Sequence, residues 1–220
     1  MIHGLAYHLK DRQFRKAFIG AFLLFALSLV INYFAGTYAT EKASSSVTDI
    51  ILDNIRVYDV DGIFIYGGYL LAFSILVASL FYPRRMPFVV KSIALFYIIR
   101  SAFVMLTHIA PFPTRTIIDP LSFMRFFDFS GELFFSGHTG LPFLVALIFW
   151  DNKVLRLFFI GMSLFLAAIV LMGHLHYSID VFSAFFITYA IYHIALQIFK
   201  KDKELDEAVA QADSALPSIE

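Results

Sequence analysis

Two histidine-bearing polar islands interrupt an otherwise apolar chain, FSGHTG at residues 135–140 and HLHYSID at residues 174–180. His176 and Asp180 are four residues apart, so a helix places them on one face. A carboxylate there can accept the imidazole Nδ1–H, which fixes the tautomer and leaves a lone pair on Nε2. That is how a histidine becomes an oriented nucleophile or base. His138 stands among Ser136, Gly137 and Thr139. Such small residues let backbone N–H groups approach an anion, and a helix N-terminus favours negative charge. A second, protonated histidine beside that anion makes a general acid. Together these groups suit phosphoryl transfer through a phosphohistidine, one histidine attacking and the other protonating the leaving oxygen. A metal set of His138, His174, His176 and Asp180 is chemically conceivable. The His-x-His spacing splays the two rings apart on a helix, so no metal and no cofactor are expected.

The elements that must carry these groups are set by the solvent the composition implies. Of 220 residues, 60% are hydrophobic and only 15% charged, and the mean hydropathy is +0.76. Soluble domains sit nearer half apolar and a quarter charged, so the composition points to lipid. The formal net charge of zero gives no bulk attraction to nucleic acid. The chain contains no cysteine, which excludes disulfides, thiolate metal sites and a cysteine nucleophile.

A helix needs about 20 apolar residues to cross the hydrocarbon. Six stretches qualify or nearly do: 16–36, 62–82, 87–111, 135–150, 155–174 and 177–199. Backbone polar groups in lipid must be satisfied within the segment, and the runs are continuous rather than alternating, so helices are the assignment. The fold class is therefore all-α, a polytopic membrane protein with six transmembrane helices. A single catalytic domain is expected over 1–202, with an acidic cytoplasmic tail over 203–220. The first run exceeds the apolar core of a signal peptide and is retained as an anchor.

Basic residues set the orientation. Lys10, Arg12, Arg15, Lys16, Arg84, Arg85, Lys153, Arg156, Lys200, Lys201 and Lys203 flank one set of span ends. The segment 37–61 instead holds Glu41, Asp49, Asp53, Asp59 and Asp61 against Lys42 and Arg56. Both termini are expected in the cytoplasm. His138, His174, His176 and Asp180 then share the outer surface, although the orientation never used the histidines. Arg100 lies midway along the third span, where an arginine is costly unless it faces a polar interior. It is a candidate for holding a phosphate or an acidic partner such as Asp180 or Glu132. The long loop 112–136 also carries Asp128 and two weaker candidates for a lipid phosphate, Arg115 and Arg125. His108 and His193 read as interfacial anchors.

These residues resemble a known family. Ser130-Gly131-Glu132, followed by Ser136-Gly137-His138-Thr139, is similar to the first signature of the sphingomyelin synthases. GHLHYSIDVFSAFFIT at 173–188 looks like their second signature, and Tyr97, Arg100 and Thr107 fall at the spacing of a third element. That family lies within the type 2 phosphatidic acid phosphatase superfamily, with six transmembrane helices. The resemblance implies that His176 is the nucleophile, Asp180 its orienting partner and His138 the acid. Ser136, Gly137, Thr139, Glu132, Tyr177 and Arg100 are then the substrate-binding candidates. It further implies transfer of a phospho-head group from a phospholipid donor to a lipid alcohol acceptor such as ceramide or diacylglycerol, without metal, on the exoplasmic or periplasmic side. A bacterial inner membrane suits the small size, and a homo-oligomer is compatible. Three departures stand out: Glu132 replaces an aspartate, Ser130 a cysteine, and Leu175 an acidic residue of the animal enzymes.

Two other readings stay open. A lipid phosphate phosphatase or phospholipase-C-like hydrolase would use the same His/His/Asp site with water as acceptor. The phosphatase pattern places serine-arginine six to seven residues before the second histidine, where this chain has Ile169 and Val170. From another class, a non-catalytic lipid-binding membrane protein would keep the residues for packing alone.

Overall fold

The chain is a helical bundle in which a short central helix is ringed by longer ones. A computed structural model describes residues 5–116 and 133–205. Among them lie helices α1 (Leu5–His8), α2 (Arg12–Lys42), α3 (Asp61–Phe81), α4 (Met86–Leu106), α5 (Gly137–Ile148), α6 (Lys153–Met172) and α7 (Ser178–Ile198). No strand occurs among the described residues. Glu132, Ser130, Gly131, Arg125, Asp128 and the tail beyond 205 lie outside them.

Local chemistry starts and stops the helices. Asp11 accepts the Gln13 N–H at the start of α2. Asn152 accepts the N–H groups of Val154 and Leu155 at the start of α6. These side chains satisfy donors that have no intrahelical acceptor. A 3-10 turn, Pro83–Arg85, separates α3 from α4. Pro111 and Pro113 follow the end of α4 and prevent its continuation.

Five helices are long and apolar enough to cross a membrane: α2, α3, α4 with its preceding turn, α6 and α7. Their ends lie within two residues of the expected ones, except that α2 extends further at both ends and α4 stops at Leu106, five residues short of the expected 111. The expected fourth span, 135–150, differs. Its helix α5 has 12 residues, about 18 Å at 1.5 Å per residue against roughly 30 Å of hydrocarbon. The shortening has a structural reason. Residues 133–136 leave helical geometry so that the carbonyls of Leu133 and Phe135 face His176 and Arg100. Moreover, Leu144, Val145, Ala146, Leu147 and Ile148 are buried. A helix enclosed by its neighbours need not match the bilayer thickness.

Packing without a hydrophobic drive between helices relies on close approach. The buried face of α2 is mostly small: Ala21, Ser28, Ala35, Gly36 and Ala39, joined by Phe14 and Asn32. This face packs along α4. At the centre, α5 is pressed between α4, α6 and α7. A Cβ at Gly140 would meet Thr188 Oγ1 at 2.7 Å and Phe96 Cε2 at 2.8 Å, so only glycine lets α7 and α4 approach this turn. Phe96 and Phe135 meet edge to face at 5.4 Å, and Phe88, Phe149, Phe159 and Leu166 complete the core.

The bundle has two distinct ends. One gathers loop 43–60, residues 107–116 and 133–136, and the α6–α7 turn. The other gathers the α3–α4 turn, the α5–α6 turn and the exit of α7. Arg85 binds Asp151 there in bidentate fashion at 2.7 and 3.1 Å. Lys91 binds Asp202 at 2.8 Å to each carboxylate oxygen.

Candidate active site

The turn between α6 and α7 builds the first half of the site. Leu175 N–H donates to Val170 O at 2.8 Å and His174 N–H to Leu171 O at 3.0 Å, the paired bonds of a Schellman ending. His174 takes the left-handed position at φ 53° that glycine usually fills. The glycine sits one residue earlier, where a Cβ on Gly173 would lie 2.4 Å from Val60 Cγ2. The His174 ring turns to the segment 107–116, its Nδ1 2.6 Å from Thr114 Oγ1 and its edge against Phe112. Among the described residues no three His, Cys, Asp or Glu side chains group as a metal site.

Two residues on, His176 is 5% exposed. Its Nδ1 lies 2.9 Å from the carbonyl oxygen of Leu133 and 3.5 Å from Asp180 Oδ2. A carbonyl can only accept, so Nδ1 carries a proton, and in the neutral ring Nε2 has the lone pair. The tautomer is the one expected, but its fixing group differs. The hydrogen bond goes to backbone, and the carboxylate, beyond normal N–H···O length, acts through its charge. Asp180 is itself immobilised, accepting the Tyr177 N–H at 2.9 Å. Its carbonyl accepts the Ser136 N–H at 3.0 Å. The two polar islands are thereby stitched together.

The second half is the N-terminus of α5. Ser136 caps it, its Oγ accepting the Thr139 N–H at 3.4 Å and hydroxyl at 3.2 Å. Thr139 is anchored in turn by Ser163, whose hydroxyl donates to the Thr139 carbonyl at 2.7 Å. Gly137 and His138 supply first-turn N–H groups that precede any intrahelical acceptor. The His138 ring lies 4.1 Å from that of Phe64 on α3, within electrostatic reach of His176 and Arg100. Arg100 comes from α4, is 5% exposed, and donates Nε–H to the Phe135 carbonyl at 2.9 Å. A Cβ on Gly137 would be 3.5 Å from that Nε, so the guanidinium flanks the helix N-terminus.

His138, His176, Asp180, Arg100 and Gly137 therefore converge. Other sequence candidates sit differently. Ser136 and Thr139 are fully buried as cap residues. Tyr177 is buried, with its hydroxyl donating to Ala110 O at 2.9 Å and accepting the Val47 N–H at 3.2 Å. These three hold the site's frame. Glu132 lies outside the described residues. Sequence reasoning missed the Leu133 carbonyl, Phe64 and Asp49. A carbonyl leaves no mark in sequence, and Phe64 is one of 27 phenylalanines.

Residues 130–197 match the family model described as PAP2 superfamily C-terminal. The matched third of the chain holds α5 to α7 with His138, His176 and Asp180. The match supports the type 2 phosphatidic acid phosphatase superfamily, and with it an enzyme acting on phosphate esters of membrane lipids. Arg100 lies outside the matched segment. Comparison with curated proteins and with solved structures gave no match.

Proposed function

We propose that this protein is a membrane lipid phosphotransferase, moving a phospho-head group from a phospholipid to a lipid alcohol through a phosphohistidine on His176. The observation that carries this reading is the His176 ring, with Nδ1–H held by the Leu133 carbonyl beside Asp180 and Nε2 left as the nucleophile. Nε2 attacks phosphorus, the phosphorus–oxygen bond to the lipid breaks, and the departing alkoxide takes a proton from His138. In the second half, the acceptor hydroxyl gives its proton to His138 while its oxygen attacks phosphorus and the phosphorus–nitrogen bond breaks. Asp180 stabilises the imidazolium-like charge on His176. Arg100 and the first-turn N–H groups of α5 bind the phosphoryl oxygens, the form of electrostatic assistance that dominates such reactions.

The sphingomyelin synthase resemblance supports transfer, and the absence of serine-arginine at 169–170 weighs against the phosphatase branch. Leu175 is 4% exposed and packs with Val60, Phe64 and Val181. The position where the animal enzymes carry an acid thus adds no charge, and preference for a cationic head group is reduced. The distribution of basic residues supports both termini in the cytoplasm and the site on the exoplasmic or periplasmic side.

The test uses protein in nanodiscs with a head-group-labelled phospholipid, with and without ceramide or diacylglycerol. Label in a new lipid only when acceptor is present is expected. Release of water-soluble phosphorylated head group alone would assign the hydrolase instead. His176→Ala should lower turnover at least about 10⁴-fold, and undiminished turnover would overturn both enzyme readings. Because the chain lacks cysteine, single cysteines at Ile50 and Lys200 report sidedness. A membrane-impermeant maleimide added outside intact cells should label Ile50→Cys and spare Lys200→Cys, and the reverse pattern would invert the orientation.

A further inference from the structure

Asp49 belongs to loop 43–60, far in sequence from both histidine islands, yet it is 7% exposed. Its Oδ2 accepts the Ser178 N–H at 2.7 Å. Its Oδ1 accepts the N–H groups of Ile51 at 2.9 Å and Leu52 at 3.1 Å, while its own N–H donates to Asp53 Oδ2 at 2.8 Å. Burial pushes the Asp49 carboxyl up, but the N–H groups of Leu52, Ser178 and Ile51 outweigh it and hold it below the ordinary value. Two residues earlier, the Val47 N–H reaches the Tyr177 hydroxyl. The start of α7 is thus clamped at consecutive residues. Asp180 and the loop hold Tyr177, and Asp49 holds Ser178. His176 is the residue immediately before this clamp, and its 2.9 Å bond to Leu133 depends on where that backbone is held.

An acid at a helix N-terminus ordinarily stabilises the helix dipole. Here it also fixes the backbone from which an imidazole is aimed. We propose that Asp49 is a positioning residue for His176: by holding the Ser178 N–H, loop 43–60 sets the direction of Nε2 without touching substrate. This rests on the reading of His176 as the nucleophile.

Ser178 opens α7, and Tyr177 before it has φ −66° and ψ 156°, a conformation that suits the residue preceding a proline. Proline is also favoured at a first helical position. Ser178→Pro therefore keeps a backbone suited to the helix start while removing both the N–H and the hydroxyl that Asp49 binds and displacing its carboxylate. Asp49→Ala and Ser178→Pro should each lower kcat about 10- to 100-fold, the usual cost of misaiming a reacting group, with KM within about twofold. The double variant should be no slower than the slower single one, because the Asp49–Ser178 contact is lost in both. Ring ¹⁵N spectra of His176 in micelles give a readout independent of turnover. The full-length protein should show Nδ1 protonated as one tautomer, and both variants a mixture. Unchanged kcat, multiplying effects, or a KM rise in place of a kcat loss would each overturn the proposal, as would retention of the single tautomer. If Asp49→Ala fails to fold, Asp49→Asn and Ser178→Pro carry the same comparison. Failure of the nucleophile reading shows separately, as full turnover by His176→Ala, while the ¹⁵N spectra still decide whether Asp49 orients the ring.

Discussion

The two ends of the bundle treat buried charge in opposite ways. At one end charge meets charge: Arg85 grips Asp151, and Lys91 sits on Asp202. Those sites are neutralised internally and have little left to offer a ligand. At the other end backbone groups take a large part in holding the ionisable side chains. Arg100 donates to the Phe135 carbonyl, His176 to the Leu133 carbonyl, and Asp49 and Asp180 accept the N–H groups of Ser178 and Tyr177. The same residue types thus make a structural fastening at one end and, at the other, the frame of the proposed phosphate site.

Exchanging the two arginines for methionine is the sharpest way to break this contrast. Arg100→Met should lower kcat about 10²- to 10³-fold, the size seen when one group stabilising the transition state is lost. Arg85→Met should leave kcat nearly unchanged and destabilise the fold by about 1–2 kcal/mol. That loss is modest because Asp151 is largely exposed and solvent screens the pair. Turnover in nanodiscs and thermal unfolding in detergent separate the two effects. Equal losses of kcat would show that both ends serve the chemistry.

How much of this arrangement was legible beforehand depended on the kind of signal. The long spans were readable because about 20 apolar residues are needed to cross hydrocarbon. The runs 16–36, 62–82, 87–111, 155–174 and 177–199 announce themselves by their continuous apolar character. That the fourth span is short was readable from its run, 135–150, but the departure of Phe135 from the helix was not, since Leu133, Phe134 and Phe135 are as apolar as any helix interior. Only the three-dimensional demand for two carbonyls unwinds them. His138, His176 and Asp180 stood out because polar groups are rare in such a chain. Asp49 did not, being one of several acids in an outer loop. Its partner Ser178 lies 129 residues away, and a contact so distant leaves no local pattern.

The rigidity of the site end can be tested through α5 itself. Gly140→Ala places a methyl group against Thr188 and Phe96 at distances real side chains do not adopt, and should cost about 1–3 kcal/mol of stability by overpacking. Gly137→Ala, one turn earlier, meets only ordinary contact with Arg100 and should leave the unfolding temperature nearly unchanged. A similar loss in both would mean that the N-terminus of α5 is as tightly packed as its middle, and that the phosphate site assigned there has no room.

The smallest effect is expected at the residue that most resembles part of the chemistry. His174 is two positions from His176 and equally buried, yet its ring binds Thr114 and packs on Phe112, fastening the outer loop to the α6–α7 turn. Its backbone sits at φ 53°, where a side chain costs roughly 1 kcal/mol relative to glycine. His174→Gly relieves that cost but loses the ring's hydrogen bonding and its buried packing on Phe112, so a net loss of about 1–3 kcal/mol in stability is expected. Because the ring faces the loop, kcat should stay within about threefold. A loss comparable to that of His176→Ala would place His174 among the reacting groups and return the metal set to consideration. A kcat that holds would separate two neighbouring histidines by a single cause, the direction each backbone gives its ring.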